Sequence, residues 1–398
     1  MTTRLYYDDP GLLSFEAVVV ACEHEAGAWR VALDRSAFYP TSGGQAHDLG
    51  VLRAGDTVVP VHDVSADDTQ AWHAVTAPLQ IGDVVHGAVD GPRRRDARQQ
   101  HSGQHILSAS FDLIEARTQS VHLGEEVCTL DLHREVSAAE CRHAEDHANT
   151  IVWDDRPVAI RYAEAADLAS ESRLRRSTTR TGPIRLIDIG GHDLSACGGT
   201  HVHRTGEVGS ILVRGVERVR GGSRVTFVCG RKALESYREL RLVTDEAARS
   251  LSIGPALLAR SIEKLRDDLK AEQRSRRLLA DRLTAFEVAA LDAQFTTVGE
   301  TAVLVAHLGD ADAGALRDAA STLTTVPGRL VTLLGGPAPH ALAVARSADL
   351  VDIDAASLVR EICAAHGGKG GGRADLAQAG GVGVSLDQLT AITTRTAR

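Results

Sequence analysis

The stretch QQHSGQHILSASF, residues 99–111, sets His101 and His105 four residues apart inside an apolar run with helical spacing. Two histidines at i and i+4 project from one side of a helix about a turn apart, so both can turn a ring nitrogen toward a single ion. The same spacing also describes a helix with one satisfied and one solvated histidine, and the pair alone does not decide between them. A second pair of ligands elsewhere in the chain decides it. SACGGTHVHRTG, from Ser195, offers Cys197 and His201 with Gly198 and Gly199 between them. One thiolate and three imidazoles make the tetrahedral N/S set that zinc favours. The glycines allow the backbone to turn closely around a ligand cysteine. We therefore expect one zinc per chain on His101, His105, Cys197 and His201. His203 alternates with His201 and would leave the site if the segment is extended. His192, Asp193 and His122 are expected as supporting or substrate-contacting groups.

Working outward, residues 1–92 read as short strands separated by Gly, Asp and Pro turns (FEAVVVACE, AWRVALDRS, TVVPVHDV), the pattern of a small β-barrel. From Arg93 to about residue 232, helices alternate with strands such as VCTLDL and IRLIDIG, an α+β domain. Residues 233–295 read as a long helical linker. Within it Ile262, Leu265, Leu269, Leu279, Leu283 and Phe286 follow steps of three and four, with Glu272 and Arg276 interrupting the seam. That register suits a short coiled coil and pairing of two chains, and equally an amphipathic helix packed on its own chain. Residues 296–398 alternate strand and helix as an α/β domain and end in a glycine-rich loop, HGGKGGGRADLAQAGGVG. The fold class is thus multidomain α+β and α/β.

The 398 residues exceed one ordinary core, and 43% hydrophobic and 24% charged residues suit a soluble globular protein. No run of about 18 apolar residues predicts a membrane span. The N-terminus lacks an export signal, and six scattered cysteines without a C-x-x-C pair suit reduced thiols, so a cytoplasmic protein is expected. A net charge of −9 argues against indiscriminate nucleic-acid binding. Arginines nevertheless cluster at Arg93, Arg94, Arg95 and Arg98, at Arg173, Arg175, Arg176, Arg180 and Arg185, and at Arg214, Arg218, Arg220 and Arg224. Such clusters bind phosphates locally or are solvated surface.

HSGQH and CGGTH together resemble the zinc-binding editing domain shared by alanyl- and threonyl-tRNA synthetases and by freestanding alanyl-tRNA editing proteins. SAFYPTSGGQAHDLG (36–50) is similar to the glycine motif of the alanyl barrel, TQSVHLGEEVCTLDL (118–132) to the strands after the histidine helix, and HGGKGGGRADLAQAGG (366–381) to the end of a DHHA1-type domain. The barrel begins almost at Met1, and the glycine run does not match G-x-x-x-x-G-K-[ST]. The resemblance therefore implies the long freestanding editing form, without aminoacylation.

It further implies a carboxylic ester hydrolase that removes serine or glycine from tRNA(Ala). An alanine pocket rejects glycine and serine poorly, and a second, hydrolytic site answers that. Such a site must satisfy a serine hydroxyl and lose that bond when alanine enters. Gln45, Thr118 and Ser120 are expected to read the substrate, with His122 nearby and a zinc-associated water as the attacking group. The glycine-lined cysteine loop is expected to be flexible enough for a ligand to yield. Lys369 and Arg373 are expected to meet tRNA phosphates. The alternatives are a non-catalytic tRNA-binding or dimerisation protein with a structural zinc, or a deacylase of another mischarged tRNA.

Overall fold

The computed structural model describes residues 1–25, 27–168, 171–177 and 182–398. The chain divides into two compact units, Met1–Ala247 and Ala248–Arg398.

The first unit opens with a closed six-stranded barrel: β1 (Ser14–Glu25), β2 (Ala28–Leu33), β3 (Gly50–Ala54), β4 (Thr57–Ala66), β5 (Ala71–Val75) and β6 (Val84–Val89), paired in the order β1-β2-β5-β4-β3-β6. Alternation drives closure, since every second side chain faces inward. In β4 the inward set Val59, Val61 and Val64 changes phase once. The register shift between Val61 and Asp63 is the bulge that resets it.

Asp90 then starts α1 (Gly91–Asp112), its carboxylate accepting the Arg93 N–H, with Pro92 in the first turn, where a missing N–H costs nothing. β7 (Thr118–Leu123), β8 (Cys128–Leu132), α2 (Ala138–Trp153), β9 (Val158–Glu164), β10 (Pro183–Ile189), β11 (Asp193–Ala196), β12 (Ile211–Val219) and β13 (Gly222–Cys229) complete the α+β part. An antiparallel sheet β12-β13-β8-β7 shares one core with α1 and α2, including Ile106, Phe111, Leu130, Ile151 and Phe227. A three-stranded sheet, β9-β10-β11, carries the chain to Cys197. The unit boundary falls near the end of α3 (Gly230–Ser250).

In the second unit the expected single helical linker is interrupted. α3 stops at Ser250, where Ser252 turns left-handed (φ 54°) and the Ile253 N–H caps the Ala248 carbonyl, and Pro255 then opens the short turn (Pro255–Leu257) that leads into α4 (Leu258–Leu291). The seam residues Ile262, Leu265, Leu269, Leu279, Leu283 and Phe286 are all exposed, and within α4 only Val288 and Leu291 are buried. β14 (Thr296–Val298), β15 (Thr301–His307), α5 (Ala313–Leu323), β16 (Arg329–Gly335), β17 (His340–Arg346), α6 (Ala355–His366), β18 (Lys369–Gly372), β19 (Leu376–Val382) and α7 (Leu386–Thr396) follow. The sheet runs β14-β15-β16-β17-β19-β18, and only the β15–β16 pair, joined through α5, is parallel. The glycine-rich segment expected as a loop is instead an edge hairpin, with Lys369 opposite Gly380 and Gly372 opposite Ala377. Gly370 lies so close to β19 that a β-carbon there would sit 2.4 Å from that of Ala379, so the glycines permit the pairing instead of opening a loop.

Candidate metal centre

α1 presents His101 and His105, and the turn leaving β11 presents Cys197 and His201; their ligand atoms all lie within 4.8 Å of one another. Each imidazole is oriented from behind by a different neighbour. His101 Nδ1–H donates to Gln45 Oε1 (2.8 Å), His105 Nδ1–H donates to Asp193 Oδ2 (2.8 Å), and His201 Nδ1 lies 3.1 Å from Ser102 Oγ. With every Nδ1 occupied, the three Nε2 atoms are left for a shared ligand. Cys197 Sγ is 3.3 Å from His101 Nε2 and 3.4 Å from His201 Nε2. A tetrahedron built on ordinary Zn–N and Zn–S bonds has edges of roughly 3.3–3.6 Å. The donor set and spacing therefore fit zinc. His203 stands apart, exposed and 3.7 Å from Asp9.

Protonation favours the same use. Burial alone would raise the Cys197 thiol, but His101 and His201 hold it well below its usual value, toward the thiolate that binds metal. Burial pushes His201 down to about 3, the neutral ligand form. Burial would lower His105 as well, yet the bond to Asp193 prevails and raises it to about 9. Metal uptake therefore displaces a proton from this ring.

The cysteine loop was expected to be flexible; instead it is pinned. Arg185, buried in the fold, donates through Nη1 to the carbonyls of Cys197 (2.7 Å) and Gly199 (3.1 Å) and through Nε to that of Tyr7 (2.9 Å). Arg98 donates to the His201 carbonyl (2.8 Å), Ser102 accepts the Val202 N–H (3.0 Å), and the Gly199 N–H approaches Cys197 Sγ (3.4 Å). Gly199 is required on steric grounds, because a β-carbon there would lie 2.0 Å from the His101 ring. Arg98, Ser102, Arg175 and Arg185 were not assigned to the site from sequence. Ser102 had a signal, lying between the two histidines; Arg185 had none beyond its place in a cluster.

The arginines are also mostly committed. Arg94, 1% exposed, pairs with Asp48 and donates to the carbonyls of Pro10 and Ala37, fixing α1 to the barrel. Arg93 contacts the His47 carbonyl and Glu125, Arg224 pairs with Asp131, and Arg218 pairs with Glu135. Arg180 lies outside the described residues.

Of the expected substrate residues, Gln45 is drawn inward: its Oε1 also accepts the Thr200 N–H (3.1 Å), while its Nε2 donates to Thr200 Oγ1 (2.9 Å). A cavity of about 310 Å³ opens beside it, with His47, Arg93, Gln100, Glu125 and Lys232 in its walls. Thr118 is buried and donates to Ser108 Oγ (3.0 Å); Ser120 is exposed and donates to Asp131 (2.7 Å); His122 is exposed opposite Thr129. Lys369 and Arg373 are exposed in the second unit, Arg373 beside Asp375.

Three family models match: "tRNA synthetases class II (A)" over residues 11–93, "Threonyl and Alanyl tRNA synthetase second additional domain" over 184–224, and "DHHA1 domain" over 300–396. The alanine–tRNA ligase of Halorubrum lacusprofundi is 32% identical over 390 residues, covering 96% of this chain and 42% of that protein. That of Pyrococcus abyssi is 31% identical over 392 residues, covering 95% and 42%. The chain thus spans less than half the length of these relatives. A solved C-Ala domain of Aquifex aeolicus alanyl-tRNA synthetase aligns with 26% of this chain and 98% of its own at 22% identity, with a TM-score of 0.25. No described helix is long and apolar enough to cross a membrane. Over 96% of its length the chain is thus similar to alanine–tRNA ligases, with matches to the second additional domain and DHHA1 models in that order along the sequence.

Proposed function

We propose that this chain is a cytoplasmic trans-editing hydrolase that removes serine or glycine from mischarged tRNA(Ala). The observation that carries the reading is the convergence of His101, His105, Cys197 and His201 beside the Gln45-lined cavity. Zinc held by these four residues would supply a fixed positive charge behind Gln45, which bonds His101 and lines the cavity. Gln45 orients His101 and, through Thr200, ties the ligand loop to the barrel. Asp193 and Arg175 hold His105 in the tautomer whose Nε2 faces the site. Arg185 and Arg98 keep the loop from yielding, which supports a closed, four-ligand centre that shapes and positions over one that exchanges a ligand.

Thr118, expected to read the serine hydroxyl, lines a separate hollow with Arg117 and His133 and not the Gln45-lined cavity, so that role is not assigned to it. Lys369 on the β18 edge and Arg373 in the turn after it are proposed to meet tRNA phosphates away from the esterified end. The exposed α4 seam supports pairing with a second copy.

Purified protein is incubated with seryl-, glycyl- and alanyl-tRNA(Ala), with and without a zinc chelator. We expect loss of the first two esters and sparing of the third, abolished by chelation. Equal inertness toward all three would sink the hydrolase reading, and cleavage confined to another mischarged tRNA would redirect it.

A further inference from the structure

The C-terminal end of α1 and the base of the β7–β8 hairpin enclose a second cavity, of about 400 Å³, whose walls include Asp112, Arg117, His133, Arg175 and Arg176. Three guanidiniums around one hollow are unexpected on a chain of net charge −9. Only Arg175 has a counter-charge in contact: its Nε donates to Asp193 Oδ1 at 2.7 Å. Arg117 and Arg176 have no side-chain ion pair among the described residues. Burial, with Arg175 alongside, holds the Arg176 guanidinium below its usual value, and Asp112 opposes this too weakly to cancel it. The nearest acid is a poor counterweight. Burial pushes the Asp112 carboxyl up against the pull of Arg175 and Arg176, and its Oδ1 is sealed without a partner. His133 closes one side of the hollow, its Nδ1 accepting the Arg117 N–H at 3.0 Å. Like charges gathered around one hollow call for an anion, and several N–H donors from different elements suit the three-cornered face of a phosphate better than a planar carboxylate.

The position selects the source of that phosphate. His105 and Asp112 are seven residues apart on one helix, about 10 Å along its axis. Arg117 and Arg176 are exposed at the rim, so the hollow admits a ligand that continues outward as a chain. We propose that this cavity holds a backbone phosphate of the tRNA 3′ strand, a short way upstream of the esterified end. The proposal rests on the deacylase reading and adds to it. Arg175 serves the cavity and the metal centre together, through Asp193 to His105 Nδ1. Seating a phosphate on its terminal nitrogens therefore braces a ligand of the centre.

The test is equilibrium binding of uncharged tRNA(Ala) across a salt series to the full chain, its Arg117→Glu/Arg176→Glu variant and the milder Arg117→Gln/Arg176→Gln variant. Melting curves serve as the folding check. We expect affinity to fall at least about tenfold near 0.1 M salt, and the slope of log affinity against log salt to flatten by about 0.7–0.9 for each phosphate lost. The difference between parent and variant should vanish on tRNA trimmed of its last three nucleotides. Unchanged affinity and slope in both variants would overturn the proposal, as would a difference that survives trimming in full. Inorganic phosphate bound by the parent and not by the variants, with tRNA binding unchanged, would mark a free-anion site and overturn the polynucleotide assignment. Because uncharged tRNA needs no hydrolysis, an inert parent with an arginine-dependent slope defeats only the deacylase reading. An active parent whose slope ignores both arginines defeats only this one.

Discussion

A β-carbon placed on Gly199 would sit 2.0 Å from the ring of His101, whereas one placed on Gly371 would touch nothing. Both glycines belong to runs that read in sequence as loops shaped around a ligand. In Cys197–His201 the chain is answered from outside at nearly every step, by Arg185, Arg98, Gln45 and Ser102. In Lys369–Gly372 it is answered on one side only, by β19, and the other edge faces solvent. Glycine richness therefore marks two different physical needs, room for an approaching imidazole and a bare strand edge. The neighbours, and not the glycines, separate them.

The comparison breaks most sharply at Gly199. Gly199→Ala displaces His101, and we expect metal affinity to fall by at least about 100-fold with editing lost alongside. Gly198→Ala, where a β-carbon would find Tyr7 at an ordinary 3.5 Å, should retain metal. Cobalt substitution and its visible spectrum measure both, and equal loss in the two variants would refute the steric argument. Next comes Arg94→Met, which leaves Asp48 buried without its partner and should cost about 3–5 kcal/mol by urea unfolding.

Acid should act on the same pinned unit. His73 is buried between Ser36 Oγ (2.7 Å) and the Val31 carbonyl (3.0 Å), and burial lowers it from 6.5 to about 4. Between those values the unfolded chain binds more protons than the folded one. The stabilising contribution is thus complete above pH 6.5 and lost as pH falls toward 4, up to about 3 kcal/mol. The unfolding midpoint followed from pH 7 to 4.5 in the parent and in His73→Gln checks the sign, because the variant should lose much of the slope. Gln45→Ala, which removes the support behind His101 and the two bonds to Thr200 of the ligand loop, should weaken metal binding about 10- to 100-fold without unfolding the barrel. Smallest of all, Gly371→Ala should change stability by less than about 0.5 kcal/mol. A drop in tRNA affinity in that variant would show that the bare edge works through its backbone.

The four metal-directed residues were legible because their chemistry and spacing are local: i and i+4 on α1, and C-x-x-x-H across two glycines. The barrel was legible from alternation, and the break before α4 was available in Gly254–Pro255. What sequence could not supply were the long-range partners. Arg185 reaches Cys197 and Tyr7 from β10, and Arg94 crosses to Asp48; neither differs locally from a solvated arginine. The arginine clusters were therefore open between phosphate contacts and surface, when Arg94 and Arg185 are internal struts. Gln45 stands in the quoted glycine motif, but its amide is already held by His101 and Thr200, a commitment only the tertiary structure reveals. The glycine-rich tail reads as a loop because glycine is depleted in strands generally; close pairing with Ala377 and Ala379 overrides that tendency.

The bond from Gln45 to His101 and the one from Arg185 to the Tyr7 carbonyl both cross from the barrel segment to the ligand-bearing segment. For protein engineering the barrel is therefore not a detachable spacer. A graft that moved the four ligands alone into another scaffold would import the metal's contacts without the parts that aim them. The smallest transferable unit is the whole first compact unit, Met1–Ala247, which keeps Lys232 in the cavity wall.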